Sequence, residues 1–416
     1  MMTLPTPRKL RAFDLALLAL ALAATVWLGS LALPVNLAAA CHWKQWPALE
    51  RCPDRDALPM EEQVQDLRDH LSNNPGDSLA YADLARFATQ PPAVLGSPGL
   101  AVVEAASLTA PFDATVLKLQ AGLAMEQSDW ATAVSRLVLL SEKYGDAGAH
   151  NALAALLSAS KTSPELLQAL LSAGQSSQKW LLSALRAMPA AGLAASEAAP
   201  LVGRLAQVTP LKPDLGQLLI KRLKAEGAWV DAHAIWLRLW NKPLGFLFNG
   251  DFEQAFIPDA FDWEILDKAG YKAGAQAGLA TRNGKGRTLQ VKFTGRTIKS
   301  PIVRQDLFLP PGTYLFKGEY QSADLRSQEG LAWVFSCTGN GNGNGNANGG
   351  ELARSPALNR TGPEWREFSA RVKVNKECGS GVALSLQTQA PYESKTGQQG
   401  EVRFDHFTLT RGTAHD

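Results

Sequence analysis

The fold of the C-terminal half is decided by the segment GTYLFKGEYQS, residues Gly312–Ser322. Apolar Tyr314, Phe316 and Tyr320 recur at every second or fourth position, and the polar residues Thr313, Lys317 and Glu319 alternate with them. A period of two places apolar side chains on one face of a β-strand and polar side chains on the other. The Pro-Pro-Gly turn at the start of the segment is typical of a strand boundary. The segment therefore predicts a half-buried strand.

Short alternating segments of this kind recur along the C-terminal half. They are Leu289–Phe293, Ile302–Leu309, Gly330–Cys337, Arg366–Val374, Val382–Gln389 and Val402–Thr410. Short strands separated by turn residues predict an antiparallel sandwich of two sheets. Residues 339–350 are almost entirely Gly and Asn and predict a mobile loop within it.

The preceding region, residues 61–242, is rich in Ala and Leu at helical spacing. Asp77, Asp113 and Asp146 are 36 and 33 residues apart, and each stands where its side chain would N-cap the next helix. The spacing brackets the period of about 34 residues of tetratricopeptide repeats, which the segment around residues 61–160 resembles. Ala121 and Ala124 replace the usual Gly and Tyr. The resemblance implies stacked helix pairs that bind a protein partner, or that merely space the C-terminal domain from the membrane.

The N-terminus predicts an export signal. Three basic residues precede an uninterrupted apolar run, residues 15–33, which is long enough to cross a bilayer as a helix. We expect an inner-membrane anchor with the bulk of the chain in the periplasm. Cleavage near Ala40, which would release the protein into the periplasm or medium, is the alternative. The predicted organisation is an anchor or signal at 1–40, a Cys-flanked linker at 41–60, helices at 61–242, a sandwich at 243–411 and a tail at 412–416.

Four cysteines form two pairs that are local in the sequence. Cys41 and Cys52 flank the linker, and Cys337 and Cys378 both lie in the sandwich region. One pair in each region of an exported protein predicts two disulfides, although four buried thiols would give the same pattern.

Within the sandwich region, several segments carry a family resemblance. They are FNGDFE at Phe248–Glu253, FDW at Phe261–Trp263, Gln305 before the Pro-Pro-Gly turn, Trp365 before a strand, and VRFDHFTL at Val402–Leu409. In this order they resemble the galactose-binding-like jelly roll shared by carbohydrate-binding modules, over about residues 245–411. The resemblance implies a structural calcium ion held by Glu253 and Asp405, with Asp251 as a weaker ligand. Among the aromatic and planar polar residues, Trp263, Tyr392, Arg304 and Gln305 are the predicted sugar contacts.

Composition and motifs exclude other functions. The formal net charge is +2 and no basic cluster stands out, so nucleic-acid binding is not expected. No motif of a hydrolase, metalloprotease or phosphate-binding loop is present, so no enzyme activity is expected. The sequence predicts a non-catalytic accessory protein that docks a partner through its helices. Its sandwich would bind or guide a polysaccharide made or exported at the inner membrane. A protein-interaction scaffold without glycan binding is the alternative, and a glycan-active enzyme would need two carboxylates facing each other across a cleft.

Overall fold

The computed structural model describes residues 59–88, 99–257, 260–266, 274–282, 284, 286–322, 324–338 and 350–412. The predicted anchor, the linker with Cys41 and Cys52, most of the Gly/Asn tract and the end of the tail lie outside these ranges. Within them, no helix is both long and apolar enough to cross a bilayer. The chain divides into two compact units, Met1–Gln127 and Ser128–Asp416.

The described part of the first unit contains four helices. They are α1 (Met60–Asn73), α2 (Ser78–Ala88), α3 (Gly99–Thr109) and α4 (Ala114–Glu126). Asp77 accepts hydrogen bonds from the N–H groups of Leu79 and Ala80, and Asp113 caps α4 in the same way. These side chains satisfy donors that have no partner inside the helix, as the sequence predicts.

The second unit begins with a two-layer stack of helices. They are α5 (Trp130–Leu139), α6 (Ala147–Ala159), α7 (Pro164–Ser176), α8 (Lys179–Ala187), α9 (Ala199–Val208), α10 (Pro213–Ala225) and α11 (Trp229–Leu239). Helices α5, α7, α9 and α11 pack in one layer, and α6, α8 and α10 in the other. Asp146 caps α6 by accepting from the N–H of Ala149. The stacked pairs are present, whereas their membership of the tetratricopeptide family stays a prediction.

The sandwich follows, and its described residues form ten strands and one short helix. The strands are β1 (Trp263–Ile265), β2 (Ala275–Thr281), β3 (Arg287–Thr294), β4 (Val303–Phe308), β5 (Gly312–Gln321), β6 (Leu331–Cys337), β7 (Glu351–Arg354), β8 (Arg366–Val374), β9 (Gly381–Thr388) and β10 (Gln399–Arg411), and the helix is α12 (Pro391–Thr396). The first sheet has the order β1-β4-β9-β6-β7 and the second β2-β3-β10-β5-β8. All paired neighbours are antiparallel. The predicted two-sheet sandwich is confirmed.

Aromatic rings fill the space between the sheets. Trp333 is fully buried, and its ring packs edge-to-face on Trp263 and Phe407. Such pairs stabilise a core beyond the area that they bury. Cys337 and Cys378 form the predicted disulfide, which links the end of β6 to the turn before β9.

The helical stack and the sandwich meet at a buried aromatic junction. His233 of α11 is 3% exposed, and its ring lies 5.1 Å from those of Phe308 and Phe261. A Cβ on Gly381 would lie 2.1 Å from the indole of Trp229, so only glycine permits this approach. The compact unit therefore continues through the change from helix to strand near residue 242, and the division between units falls at Gln127.

Candidate functional site

A β-bulge in β10 shapes the outer face of the second sheet. Asp405 pairs with Glu319, but the next pair along β5 is Thr408 with Lys317, so β10 carries one extra residue. His406 takes a left-handed backbone conformation with φ of 54° and is exposed. Residues other than Gly adopt this conformation uncommonly, and those that do concentrate at functional sites.

One arginine organises the polar groups of this face. Arg282 Nη1 donates to Asp405 Oδ2 at 2.7 Å, and Nη2 lies 3.6 Å from Glu319 Oε2. The guanidinium carbon lies 3.9 Å from the centroid of the Trp365 ring. Since Arg282 follows the edge strand β2 and Trp365 precedes the opposite edge strand β8, these contacts reach across the sheet. The half-buried indole is thereby held in a fixed position by a cation–π contact.

His406 completes this cluster. Its Nδ1 lies 3.4 Å from Arg282 Nη1, 3.5 Å from Asp405 Oδ2 and 3.6 Å from Glu319 Oε2. With the ring proton on Nε2, Nδ1 accepts from the arginine. We call Arg282, Glu319, Trp365, Asp405 and His406 the Arg282 cluster.

Beside the Arg282 cluster lies an open cleft of about 680 Å³. Its polar lining consists of Lys317, Glu319, Glu367, Ser369, His406 and Thr408. These residues offer ammonium, carboxylate, hydroxyl and imidazole groups, so the cleft presents hydrogen-bond donors and acceptors together. A ligand with many hydroxyl groups needs both kinds of partner.

The outer face of the first sheet is less open than that of the second sheet, because helices cover part of it. Phe308 of β4 stacks on His233, and Gly381 of β9 contacts Trp229. Asp306 forms ion pairs with Lys224 of α10 and with Arg304. Burial alone would raise the pKa of Asp306, but these two cations lower it below its ordinary value.

Two predicted sugar contacts are internal. Trp263 and Gln305 are cross-strand partners with 1% and 0% exposure. Trp263 Nε1 donates to the carbonyl of Asn249, and Gln305 Nε2 to that of Phe248. Both side chains fix the opening segment against the core. The prediction that they contact a glycan is therefore wrong, because neither reaches the surface.

The other two predicted contacts lie apart from the second-sheet face. Arg304 lines a cleft of about 510 Å³ between β4 and α10, where its Nε donates to Asp306 Oδ1 at 2.7 Å. Tyr392 lies on α12 with 48% of its surface exposed, and its hydroxyl donates to Gln328 Oε1 at 2.9 Å. The structure does not bring the four predicted residues together.

The residues predicted to hold calcium are engaged by other groups. Asp405 accepts from Arg282 and from the N–H of His406, while Glu253 Oε1 accepts from the N–H of Arg287 at 2.9 Å. Asp251 Oδ1 accepts a long hydrogen bond from the N–H of Glu253 at 3.5 Å. Among the described residues, no three His, Cys, Asp or Glu side chains converge to hold a metal ion. A calcium shell needs six or more oxygens, part of which backbone carbonyls supply, so the calcium ion implied by the resemblance stays a prediction.

Several residues of this face are absent from the sequence predictions. Lys317 and Glu319 are the outward positions of the strand that decides the fold, so the alternation alone identified them as surface residues. His406 stands in the closing motif beside Asp405. Trp365, which the sequence marks only as part of the family resemblance, lies half-buried on the outer side, in contact with Arg282. For Arg282 the sequence gives no signal.

No family model and no curated protein matches this chain. Among solved structures, a family 4 carbohydrate-binding module is similar at 14% identity over 40% of this chain and 99% of its own, with a TM-score of 0.30. A putative sugar binding protein from Bacteroides thetaiotaomicron has 10% identity over 41% of this chain and 100% of its own, with a TM-score of 0.28. The CBM22-1 xylan-binding domain of Paenibacillus barcinonensis Xyn10C has 13% identity over 40% of this chain and 93% of its own, with a TM-score of 0.28. At these values the likeness concerns the sandwich and says nothing about this chain's ligand.

Proposed function

We propose that the sandwich binds a polysaccharide in the second-sheet cleft, beside the Arg282 cluster. The observation that carries this proposal is a polar open cleft that shares Glu319 and His406 with the Arg282 cluster, in which the guanidinium of Arg282 lies over the Trp365 ring. Binding sites combine apolar surface with a few convergent polar groups that fix the ligand's orientation. A sugar ring matches this combination, because its C–H face stacks on an indole while its hydroxyls donate and accept hydrogen bonds.

The carboxylates of this face do not form a hydrolytic pair. Glu319 and Glu367 are direct neighbours on β5 and β8 and extend from the same side of one sheet. Glycoside hydrolysis needs two carboxyl groups that flank the scissile bond from different sides. In the α10 cleft, Asp306 is paired with Lys224 and Arg304, and Asp262 accepts two backbone N–H groups. Binding without catalysis is therefore the function that we propose.

The wider role in this proposal follows from the sequence. The apolar run at 15–33 would anchor the chain in the inner membrane and place the helices and sandwich in the periplasm. The helices would dock a protein partner, and the sandwich would guide a polysaccharide during its synthesis or export. The alternative is a scaffold whose sandwich binds no sugar.

Glycan binding by the full chain tests the proposal. The full chain is required because the junction of α11 with Phe308 and Gly381 would be exposed in an isolated sandwich. We expect a panel of neutral and charged polysaccharides to contain one that binds. Trp365→Ala should weaken its binding about 5- to 30-fold through loss of stacking, which contributes about 1–2 kcal/mol. Tyr392→Ala is the matched control, since it removes an exposed aromatic ring elsewhere and should leave affinity unchanged.

Two outcomes would contradict the proposal. If the folded full chain binds no polysaccharide of the panel, the scaffold function is favoured. If Tyr392→Ala abolishes binding and Trp365→Ala does not, the site lies at α12 and not on the second-sheet face.

A further inference from the structure

An open groove lies between α5 and α7 in the helical stack. It has a volume of about 920 Å³ and lies on the layer formed by α5, α7, α9 and α11. Its apolar lining comes from Trp130, Ala131, Val134 and Val138 of α5 and Pro164, Ala169 and Ala173 of α7. The small side chains on α7 leave room for side chains of an incoming segment.

The charges around this groove have one sign. Asp129, Glu142 and Glu165 line it, and the described residues of the lining include no Lys or Arg. Two of these acids are fixed in place: Asp129 caps α5 through the N–H of Thr132, and Glu142 accepts from the N–H of Trp180 at 3.3 Å. Hydrogen bonds from Thr132 lower the pKa of Asp129, which keeps this carboxylate ionised. An apolar floor with an acidic rim complements a segment that is apolar on one side and basic on the other.

The length of the groove limits the size of its occupant. Helix α5 has 10 residues and α7 has 13, which correspond to about 15 and 20 Å of helix. A partner helix of about three turns matches this span, and its apolar side chains at i, i+3, i+4 and i+7 would face the floor.

We propose that the α5–α7 groove binds an amphipathic helix of a partner protein whose polar face carries Lys and Arg. This inference rests on the proposed role of the helices in docking a partner, and it is independent of the glycan site. It assigns the docking surface to one groove and the partner to one chemical class.

A dye-labelled peptide tests the groove on the full chain. The probe is a three-turn Leu/Lys amphipathic helix, and the control probe carries Glu in place of each Lys. We expect the Leu/Lys peptide to bind more tightly, with an affinity that falls as salt is added. Gln168→Arg puts a positive charge in the groove and should weaken binding about fivefold. Gln175→Arg is the matched control, because it makes the same change at an exposed position of α7 outside the lining.

Three results would overturn the proposal. They are equal affinity for both peptides, equal weakening by Gln168→Arg and Gln175→Arg, and protection of a Ser172→Cys variant from a maleimide without peptide. The last would show that the chain itself covers the groove. Measuring glycan binding on the same variants separates the two proposals, since Gln168→Arg should retain the affinity for polysaccharide and Trp365→Ala the affinity for peptide.

Discussion

The two outer faces of the sandwich are built on the same strand alternation but have opposite surroundings. On the first sheet, Phe308 and Gly381 receive the aromatic side of α11. On the second sheet, Lys317, Glu319 and His406 line an open cleft. Alternation thus shows which side chains leave the core, but not whether they meet water or another element. The feature that distinguishes the covered face is the outward Gly381, which leaves room for the indole of Trp229.

The largest effect is expected from removing an aromatic ring at the covered face. Trp236 is fully buried, 4.5 Å from the ring of Phe248. Trp236→Ala should lower the free energy of unfolding by about 3–5 kcal/mol, because the junction cannot refill the cavity. Urea unfolding followed by far-UV and near-UV circular dichroism measures the loss. Half-buried Trp240 at the end of the same helix provides the control, Trp240→Ala, with a cost below about 1.5 kcal/mol. If the sandwich of Trp236→Ala unfolds at the same urea concentration as that of the wild type, the helical junction does not stabilise the sandwich.

The stability of the covered face should also depend on pH, through His233. Burial among aromatic rings lowers the pKa of His233 to about 4, and its Nε2 has no hydrogen-bond partner. The folded state therefore favours the neutral ring, so this contribution to stability is complete above the ordinary pKa of about 6.5 and falls as pH drops toward 4. Unfolding at pH 4.5 should need about 2 kcal/mol less than at pH 7. His233→Leu should remove most of this difference, and an unchanged pH dependence would show that other groups cause it.

A smaller effect is expected on the open face. Arg282→Ala would leave the nearly buried carboxylate of Asp405 without its ion pair and should cost about 1–3 kcal/mol in thermal or urea unfolding. Arg371→Ala, at an exposed outward position of β8, should change stability by less than about 0.5 kcal/mol. Because Arg282 occupies Asp405, a chelator should leave the wild-type unfolding midpoint unchanged. A lower midpoint in chelator would support the calcium ion predicted from the family resemblance.

The sequence predicted the features that depend on near neighbours. Asp77 and Asp113 cap helices because a cap involves residues two or three positions away. The strand Arg366–Val374 has the predicted limits because its alternation is uninterrupted. The short strands β1, β2 and β7 were missed, since three or four residues, or an Ala- and Gly-rich run, carry little periodicity.

The site was harder to predict because its contacts join distant segments. Arg282 and Asp405 are separated by 123 residues, and only the strand order brings them together. Trp263 and Gln305 have the chemistry of sugar contacts, yet the opening segment needs buried donors for the carbonyls of Asn249 and Phe248. Residue type alone does not distinguish a donor that serves a ligand from one that serves the protein's own backbone.

The bulge at His406 is a one-residue insertion that shifts the inward–outward alternation of β10 by one position. Val402 and Phe404 point inward before it, and Phe407 and Leu409 after it. Without residue 406, these four side chains would fall at every second position of β10, and the same four residues would still face the core. Phe407, next to the extra residue, donates its N–H to the carbonyl of Gly250 at 2.8 Å. The bulge therefore lies where β10 holds the opening segment, and it gives the outer face an imidazole without giving up a core side chain.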